Sequence, residues 1–193
     1  MTHTSPLTTD PESPAQPDRR RLCKALLTVP LLVSVAPITT LASLAPERKL
    51  SFYHTHTGEE LSLTYHKNGS YIPAALEQIN HYLRDFRCDE VHQIDPKLMD
   101  ILHDLQQAAG NPNGTFEVIS GYRSPETNGK LRQKSNGVAK KSLHMQGMAI
   151  DIRLDGTSTK KVRDLGMQLK RGGVGFYASS DFVHLDTGRV RHW

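Results

Sequence analysis

The sequence contains little cysteine and few aromatic residues. Its 193 residues include two cysteines, Cys23 and Cys88, and aromatic side chains make up 6% of the chain. Because Cys23 falls in a segment that has the character of a removable leader (below), the remaining domain keeps a single thiol and no intramolecular disulfide can form in it. A hydrophobic core must therefore stabilise the fold, and we expect Cys88 to be buried and unreactive.

The sequence also lacks a concentration of charge of one sign. The 24 Lys and Arg residues exceed the 20 Asp and Glu residues by only +4, and they are scattered along the chain. A groove for nucleic acid needs a basic stripe and aromatic side chains on which bases stack, and this sequence has neither. We therefore expect no nucleic-acid partner, while a small positive charge is compatible with another anionic polymer.

The first 45 residues differ in composition from the rest of the chain. Residues 1–18 are rich in Thr, Ser and Pro and predict a disordered tail. Three arginines at 19–21 precede an apolar stretch that ends near Ala45 and is interrupted by Pro30 and Pro37. Two prolines and moderate hydrophobicity favour an export signal over a transmembrane anchor. We therefore predict a signal segment over residues 19–45 and a folded domain over residues 46–193.

The signal segment resembles a twin-arginine export signal. Arg19 and Arg20 are followed by a variable position, two fairly apolar residues and Lys24, although Asp18 stands where Ser or Thr is usual. This resemblance implies export to the periplasm through the twin-arginine machinery, with membrane contact only through the signal segment. Signal peptides are cleaved after small residues, and Ala42 and Ala45 are suitable positions for such a cleavage.

Residues 46–193 show the periodicities of an α+β fold. Apolar and polar residues alternate in some segments, as in half-buried strands, and recur at helical spacing in others. They predict a single domain with a small mixed or antiparallel sheet and helices packed on it. The predicted strands are 50–56, 60–66, 116–120, 148–154, 174–177 and 182–186. The predicted helices are 73–86, 96–110, 125–133 and 159–171.

Two histidines and one aspartate occur at positions that suit a metal ion. His144 lies in a predicted loop, and Asp151 lies on the strand that follows, on the same face as the small Ala149. His184 lies on the last predicted strand. Two imidazoles and a carboxylate suit Zn²⁺, and three protein ligands leave a fourth position for water, as hydrolysis requires. The alternative is that His144 and Asp151 are an ordinary loop histidine and a strand-end carboxylate.

Two charged residues accompany this set. Arg123 lies at a predicted strand-to-helix turn, from which it can project into a pocket and meet a carboxylate or developing negative charge. A lone arginine more often forms a surface ion pair. Asp181, three residues before His184, can reach a water on the metal; otherwise it caps a turn.

Several other residues are more ordinary. His54 and His56 lie on one side of a predicted strand, where exposed histidines are commoner than metal ligands. Trp193 is expected to seal the core. Asp186 lies on the face of its strand that carries His184, so it either orients that histidine or forms a structural pair.

The order of these segments is similar to that of the zinc peptidases typified by D-alanyl-D-alanine dipeptidases and carboxypeptidases, whose fold the hedgehog signalling domain shares. The motif Ser-x-His-x-x-Gly-x-Ala-x-Asp runs from Ser142 to Asp151, and an acidic residue precedes His184 by three. The chain more closely resembles the murein endopeptidase K (YcbK-like) branch of these peptidases. The resemblance lies in Gly-Tyr-Arg-Ser, Ser-Leu-His-Met-Gln-Gly, Phe-Val-His-Leu-Asp-Thr-Gly-Arg-Val-Arg and the final tryptophan. The resemblance covers residues 50–193.

The resemblance implies a site and an activity. It implies one zinc ion per chain, with the ligands His144, Asp151 and His184. Asp181 is then the general base, although the dipeptidase branch has the longer Glu there, and Arg123 stabilises the tetrahedral intermediate or orients the substrate. Ser142 is expected to brace the His144 loop or to touch substrate. The implied reaction is hydrolysis of cross-links between peptidoglycan stem peptides, including those that join two meso-diaminopimelate residues, in cell-wall growth or remodelling.

Two other functions remain open at this point. The first is a D-alanyl-D-alanine carboxypeptidase or dipeptidase, which a long insertion roofing the site would favour; the sequence shows no such insertion. The second is a non-catalytic zinc-bearing module that binds the wall, as hedgehog-type relatives suggest. The presence of both Asp181 and Arg123 argues against a module of this kind, because binding alone needs neither residue.

Overall fold

The computed structural model describes residues 46–135 and 137–193, so the predictions for the tail and the signal segment lie outside the described residues. Within these ranges the chain forms a mixed sheet and four α-helices, which confirms the predicted α+β class. The strands are β1 (Arg48–His54), β2 (Glu60–Lys67), β3 (Ser70–Tyr71), β4 (Thr115–Ser120), β5 (Ala149–Leu154), β6 (Gly173–Tyr177), β7 (Phe182–Asp186) and β8 (Arg191–His192). The helices are α1 (Pro73–Tyr82), α2 (Pro96–Ala108), α3 (Pro125–Lys134) and α4 (Thr159–Leu169). In this part of the chain, no helix has the length and apolar character needed to cross a membrane.

The eight strands form one sheet in the order β3-β2-β1-β4-β5-β7-β6-β8. The pairs β1–β4 and β6–β8 are parallel, and the other pairs are antiparallel. The strand β5 lies next to β7, although α4 and β6 separate the two strands in the sequence. The pairing of β5 with β7 places Asp151 directly beside His184, although the two residues are far apart in the sequence.

Three of the helices, α1, α2 and α4, pack on one face of the sheet. Helix α1 contacts β2, α2 contacts β1 and β5, and α4 contacts β5, β6 and β7. Alternate residues of the strands point toward these helices and form the core with them, among them Phe52, Phe116, Ile150, Ile152, Val183 and Leu185. Because side chains alternate along a strand, Asp151 and His184 lie on the opposite face. The core therefore supports the candidate site from behind.

The prediction that the first helix extends to residue 86 is wrong, since α1 ends at Tyr82. A turn follows in which the N–H of Asp85 bonds the carbonyl of Glu90. The Asp85 side chain is fully buried, and its carboxylate accepts hydrogen bonds from the backbone N–H groups of Arg87 and Ser124. The chain leaves the helix early because this buried carboxylate must reach the loop that precedes α3. By contrast, α2 begins as predicted, with Asp95 as its cap and Pro96 in the first turn.

Three expectations about single residues are wrong. Cys88 is exposed, because it lies in the turn after α1 rather than in an element that packs on the sheet. His54 is buried, with 1% of its surface accessible, against the rings of Tyr82 and Phe86. Trp193 does not seal the core: 49% of its surface is exposed, and its ring lies beside the candidate site.

Candidate metal centre

Three elements bring His144, Asp151 and His184 together. His144 lies on a short 3-10 helix, Leu143–Gln146, that leads into β5. Asp151 is on β5 and His184 on β7, where the two residues are directly paired across the antiparallel strands. All three side chains are buried. The sheet register therefore fixes two of the residues, and the loop before β5 supplies the third.

The local sequence explains how His144 is held. The Ser142 hydroxyl accepts a hydrogen bond from the backbone N–H of His144 and caps the short helix. Gly147 ends that helix with a positive φ of 65°, a conformation that favours glycine. A side chain at this position would also collide with the backbone carbonyl of Gln93. The spacing of His144 and Asp151 in the motif thus reflects one tight turn.

Three donor atoms converge at the site. His144 Nε2 lies 3.2 Å from Asp151 Oδ1 and 3.1 Å from His184 Nδ1. His184 Nδ1 lies 2.9 Å from Asp151 Oδ1. Tetrahedral zinc ligands about 2.0–2.1 Å from the metal stand about 3.3 Å apart. The triangle of atoms is therefore close to the size of one face of a zinc coordination tetrahedron.

The other ring nitrogens show which atoms can bind a metal. His144 Nδ1 lies 2.7 Å from the carbonyl oxygen of Gly121, so this nitrogen carries the proton and donates it. His184 Nε2 lies 3.1 Å from Asp186 Oδ2 and donates in the same way. When both rings are neutral, His144 Nε2 and His184 Nδ1 have lone pairs that face a carboxylate oxygen. Three electron-rich atoms pointing at one another require a cation, and the donor set fits a divalent metal ion.

The ionisation of the three groups shows how strongly the site favours a positive charge. Burial lowers the pKa of His144, which favours its neutral, metal-binding form. Burial alone would raise the pKa of Asp151, but the imidazoles of His144 and His184 hold that pKa well below its usual range. Burial alone would lower the pKa of His184, whereas the carboxylates of Asp151 and Asp186 raise it. The carboxylates thus give the site a strong preference for positive charge.

Arg123 contacts the second oxygen of Asp151. Its Nη2 lies 2.5 Å from Asp151 Oδ2, and its Nε donates to the hydroxyl of Ser120 at 3.0 Å. These contacts turn Asp151 so that Oδ1 faces the histidines. Among the described residues Nη1 of Arg123 has no hydrogen-bond partner, and Arg123 lines the cavity in front of the site. The guanidinium can therefore hold Asp151 and still offer donors to a bound molecule.

Asp186 supports His184 from behind. Its side chain is fully buried and accepts hydrogen bonds from the backbone N–H groups of Gly173 and Gly188, at 3.0 and 2.9 Å. Arg191 donates to both of its oxygens, at 3.0 and 2.7 Å. Although burial alone would raise the pKa of Asp186, these bonds and the one from His184 hold it well below its usual range. Asp186 thus contacts His184 and also forms a structural ion pair with Arg191, so both of the roles considered for it are compatible with the structure. The His-x-Asp spacing on one strand face is the sequence signal for the contact with His184.

A cavity of about 360 Å³ opens onto the three residues. Its lining includes Ser142 and Lys141 from the loop before His144, and three aromatic side chains, Tyr177, Phe182 and Trp193. Tyr177 stacks on Phe182, and the indole Nε1 of Trp193 donates to the Tyr177 hydroxyl at 3.0 Å. A larger groove of about 620 Å³ lies over β1, β2 and β4. The smaller cavity is the candidate site because, within the described residues, only His144, Asp151 and His184 form a metal-binding cluster.

Asp181 lies outside the lining of this cavity. Its carboxylate accepts a hydrogen bond from the Thr159 hydroxyl at 2.6 Å and lies 3.6 Å from Arg153 Nε. Its side chain is 66% exposed, and its backbone has a positive φ of 50° at the turn into β7. The structure therefore brings together His144, Asp151, His184, Arg123 and Ser142, while the side chain of Asp181 is directed to α4.

The site thus has two candidate ligands paired across antiparallel strands, a third from a capped loop, and an open cavity beside them. This arrangement resembles the metal sites of hydrolases. A family model described as peptidoglycan L,D-endopeptidase MepK matches residues 42–193. The peptidoglycan L,D-endopeptidase MepK of Escherichia coli is 40% identical over 176 residues, which cover 90% of this chain and 96% of that protein. The probable peptidoglycan L,D-endopeptidase MepK of Haemophilus influenzae is 41% identical over 167 residues, which cover 86% of this chain and 90% of that protein. The chain belongs to this peptidase family.

Proposed function

We propose that the chain is a zinc-dependent murein endopeptidase that hydrolyses peptide cross-links of peptidoglycan, including those that contain meso-diaminopimelate. The observation that carries the proposal is the convergence of His144 Nε2, Asp151 Oδ1 and His184 Nδ1 within 3.2 Å of one another, beside an open cavity. The family description and the names of the two relatives supply the substrate class. Zinc is the metal of choice because two imidazoles and one carboxylate are a common catalytic zinc set.

The metal-site residues have distinct tasks in this proposal. A bound zinc ion acts as a Lewis acid and lowers the pKa of a water molecule from 15.7 toward about 7. His144 would hold the ion through Nε2 and His184 through Nδ1, because the other nitrogen of each ring donates a hydrogen bond, to Gly121 and to Asp186 respectively. Asp151 supplies Oδ1 while Arg123 binds Oδ2, which holds the carboxylate in one orientation. Rigid ligands of this kind keep a position open for substrate.

Three other residues act on the substrate. Arg123 offers guanidinium donors to the carbonyl oxygen of the scissile bond as negative charge develops there. Asp181 accepts a proton from water and passes it to the leaving amine, which requires its side chain to turn away from the Thr159 hydroxyl. Ser142 lines the cavity, and its hydroxyl accepts a hydrogen bond from the backbone N–H of His144. From this position the Ser142 side chain can touch substrate.

The proposal includes the route by which the protein reaches its substrate. A peptidoglycan endopeptidase acts outside the cytoplasm, and the paired Arg19-Arg20 ahead of an apolar stretch favours the twin-arginine machinery. Export of a folded chain would allow the metal to bind before translocation. Replacement of both arginines by lysine should leave the protein in the cytoplasm, as fractionation would measure.

Digestion of purified peptidoglycan tests the activity. The wild-type protein should release monomeric stem peptides from cross-linked dimers, as mass analysis of the products would show. Asp181→Asn should retain the metal and lose activity, whereas His144→Ala should lose both. Loss of one terminal alanine without release of monomers would instead identify a carboxypeptidase. Unchanged peptidoglycan in the presence of zinc would identify a binding module.

A further inference from the structure

The charged groups around the cavity do not cancel. Three cations line it, Arg123, Lys141 and Arg191. Arg123 is paired with Asp151 and Arg191 with Asp186, at 2.5 and 2.7 Å. Within residues 46–135 and 137–193, Lys141 forms no ion pair, and it is exposed. Among the side chains that line the cavity, one positive charge is therefore uncompensated, that of Lys141.

The proposed substrate carries a negative charge close to the bond that is cut. Each amino group of meso-diaminopimelate is attached to a carbon that also bears a carboxylate. When that amino group forms the cross-link, the scissile nitrogen and a free carboxylate share one carbon atom. A substrate bound with its scissile carbonyl at the metal centre must place this carboxylate in the cavity. Burying it there without a cationic partner would be unfavourable.

From this match, which rests on the proposed function, we propose that Lys141 binds the carboxylate next to the scissile nitrogen and so selects substrates in which that carboxylate is free. Lys141 directly precedes Ser142 and lies three residues before His144, so the capped turn that orients the metal ligand also positions the lysine backbone. The lysine ammonium binds a carboxylate as a flexible point charge, which suits a ligand that approaches from solvent. Lys141 is a specificity residue in this proposal.

The other two cations are poorly suited to this task. Arg191 donates to both oxygens of a fully buried carboxylate, and its guanidinium lies 4.9 Å over the Trp193 ring. Arg123 uses Nε and Nη2 within the protein and lies beside the metal ligands, where the carbonyl oxygen is expected. Withdrawal of either group from its partner would remove the arginine ion pair of a buried carboxylate, which is costly.

Two matched peptides and two matched variants test the proposal. The first peptide is a stem peptide that ends in meso-diaminopimelate with a free amine and carboxylate on the terminal carbon, and the second has that one carboxylate converted to the carboxamide. Both are products, so binding can be measured by calorimetry without turnover. The variants are Lys141→Met and, as the control, Lys140→Met, which removes the charge of an exposed neighbour that does not line the cavity.

The zinc-loaded wild-type protein should bind the carboxylate peptide about tenfold more tightly than the carboxamide, since the pair is charge-assisted but partly solvated. Lys141→Met should lose this preference, while Lys140→Met should keep it, and the wild-type preference should shrink in 0.5 M salt. The same preference should appear in KM rather than kcat for cross-linked dimers. Equal preference in Lys141→Met and wild type, or no preference in wild type, would overturn the proposal. A Lys141-dependent preference without cleavage of any dimer would leave this inference standing and refute the proposed endopeptidase activity.

Discussion

The substitution Asp186→Asn should weaken metal binding without removing a metal ligand. Oxygen Oδ1 of Asp186 accepts from the backbone N–H groups of Gly173 and Gly188 and from Arg191, and Oδ2 accepts from His184 and Arg191. An asparagine must replace one oxygen by an NH₂ group. Because Oδ1 faces two fixed backbone donors, the NH₂ group is expected at the Oδ2 side, where it faces His184.

An NH₂ group at that position donates to His184 Nε2 and moves the ring proton to Nδ1. Nδ1 is the atom that faces Asp151 and His144, so the protonated nitrogen would point at the metal. Loss of such a supporting partner typically lowers metal affinity by about 10- to 100-fold, or about 1.4–2.7 kcal/mol. Arg191 also loses its charged partner, which should cost about 1 kcal/mol of folding stability because its side chain is 30% exposed.

Competition with a chromophoric chelator measures the zinc affinity, and thermal unfolding of the metal-free protein measures the stability. The matched control is Asp155→Asn, which makes the same chemical change at an exposed turn after β5. The control should retain the affinity of the wild-type protein. If Asp186→Asn bound zinc as tightly as wild type at unchanged stability, the hydrogen bond from His184 to Asp186 would not fix the ligand nitrogen, and the reasoning would be refuted.

Three further predictions concern other parts of the molecule. If Asp181 accepts the proton, Thr159→Ala should preserve or raise kcat because it frees the carboxylate, whereas Asp181→Asn should reduce kcat at least about 100-fold. Gly175→Ala should displace Trp193, whose ring atoms lie 2.6–2.9 Å from the position of the added Cβ, and cost about 1–3 kcal/mol. Burial lowers the pKa of His54 in the folded protein. Below a pH of about 6.5, His54 therefore binds a proton more readily in the unfolded chain than in the folded protein, which favours unfolding. Stability should fall there by at most about 1.4 kcal/mol per pH unit, and His54→Gln should lack this component.

Each of these predictions has a contrasting outcome. A comparable loss of activity in Thr159→Ala and Asp181→Asn would show that their hydrogen bond braces the turn rather than competing with catalysis. Trp193 is the one tryptophan in the sequence, so its fluorescence reports its position directly. Gly129→Ala, which meets nothing within 4 Å, should leave that signal unchanged, and an unaltered signal in Gly175→Ala would contradict the contact. For His54, identical pH profiles of stability in wild type and His54→Gln would refute the assignment.

Strand positions could be predicted from the sequence because each central strand has one face in the core. The alternation around Leu61, Leu63 and Tyr65 reflects packing of one face of β2 against the core. The compact, largely apolar run before Leu154 reflects a strand, β5, that is buried on both faces. The end of α1 could not be predicted, because nothing local in the sequence shows that Asp85 binds backbone N–H groups of a loop near residue 124. The parallel pairing of β1 with β4 is likewise set by contacts between distant segments.

The candidate ligands could be predicted because a capped turn and a cross-strand pair fix their spacing. His144 and Asp151 are separated by one tight turn, and the register of β5 and β7 places Asp151 opposite His184. The direction of the Asp181 carboxylate could not be predicted, because Thr159 lies on another element. The exposure of Trp193 could not be predicted either, since it depends on the space left by Gly175 on a neighbouring strand.

The one-sided packing of the helices has a consequence for access. Peptidoglycan is a covalent network, and its internal cross-links have no free end that can be threaded into an enclosed tunnel. The candidate ligands on β5 and β7 lie on the sheet face opposite α1, α2 and α4, so a taut strand of the network can approach them sideways, with both of its ends still attached. The same arrangement lets the two cut halves separate in opposite directions, which should favour product release while the surrounding mesh remains under tension.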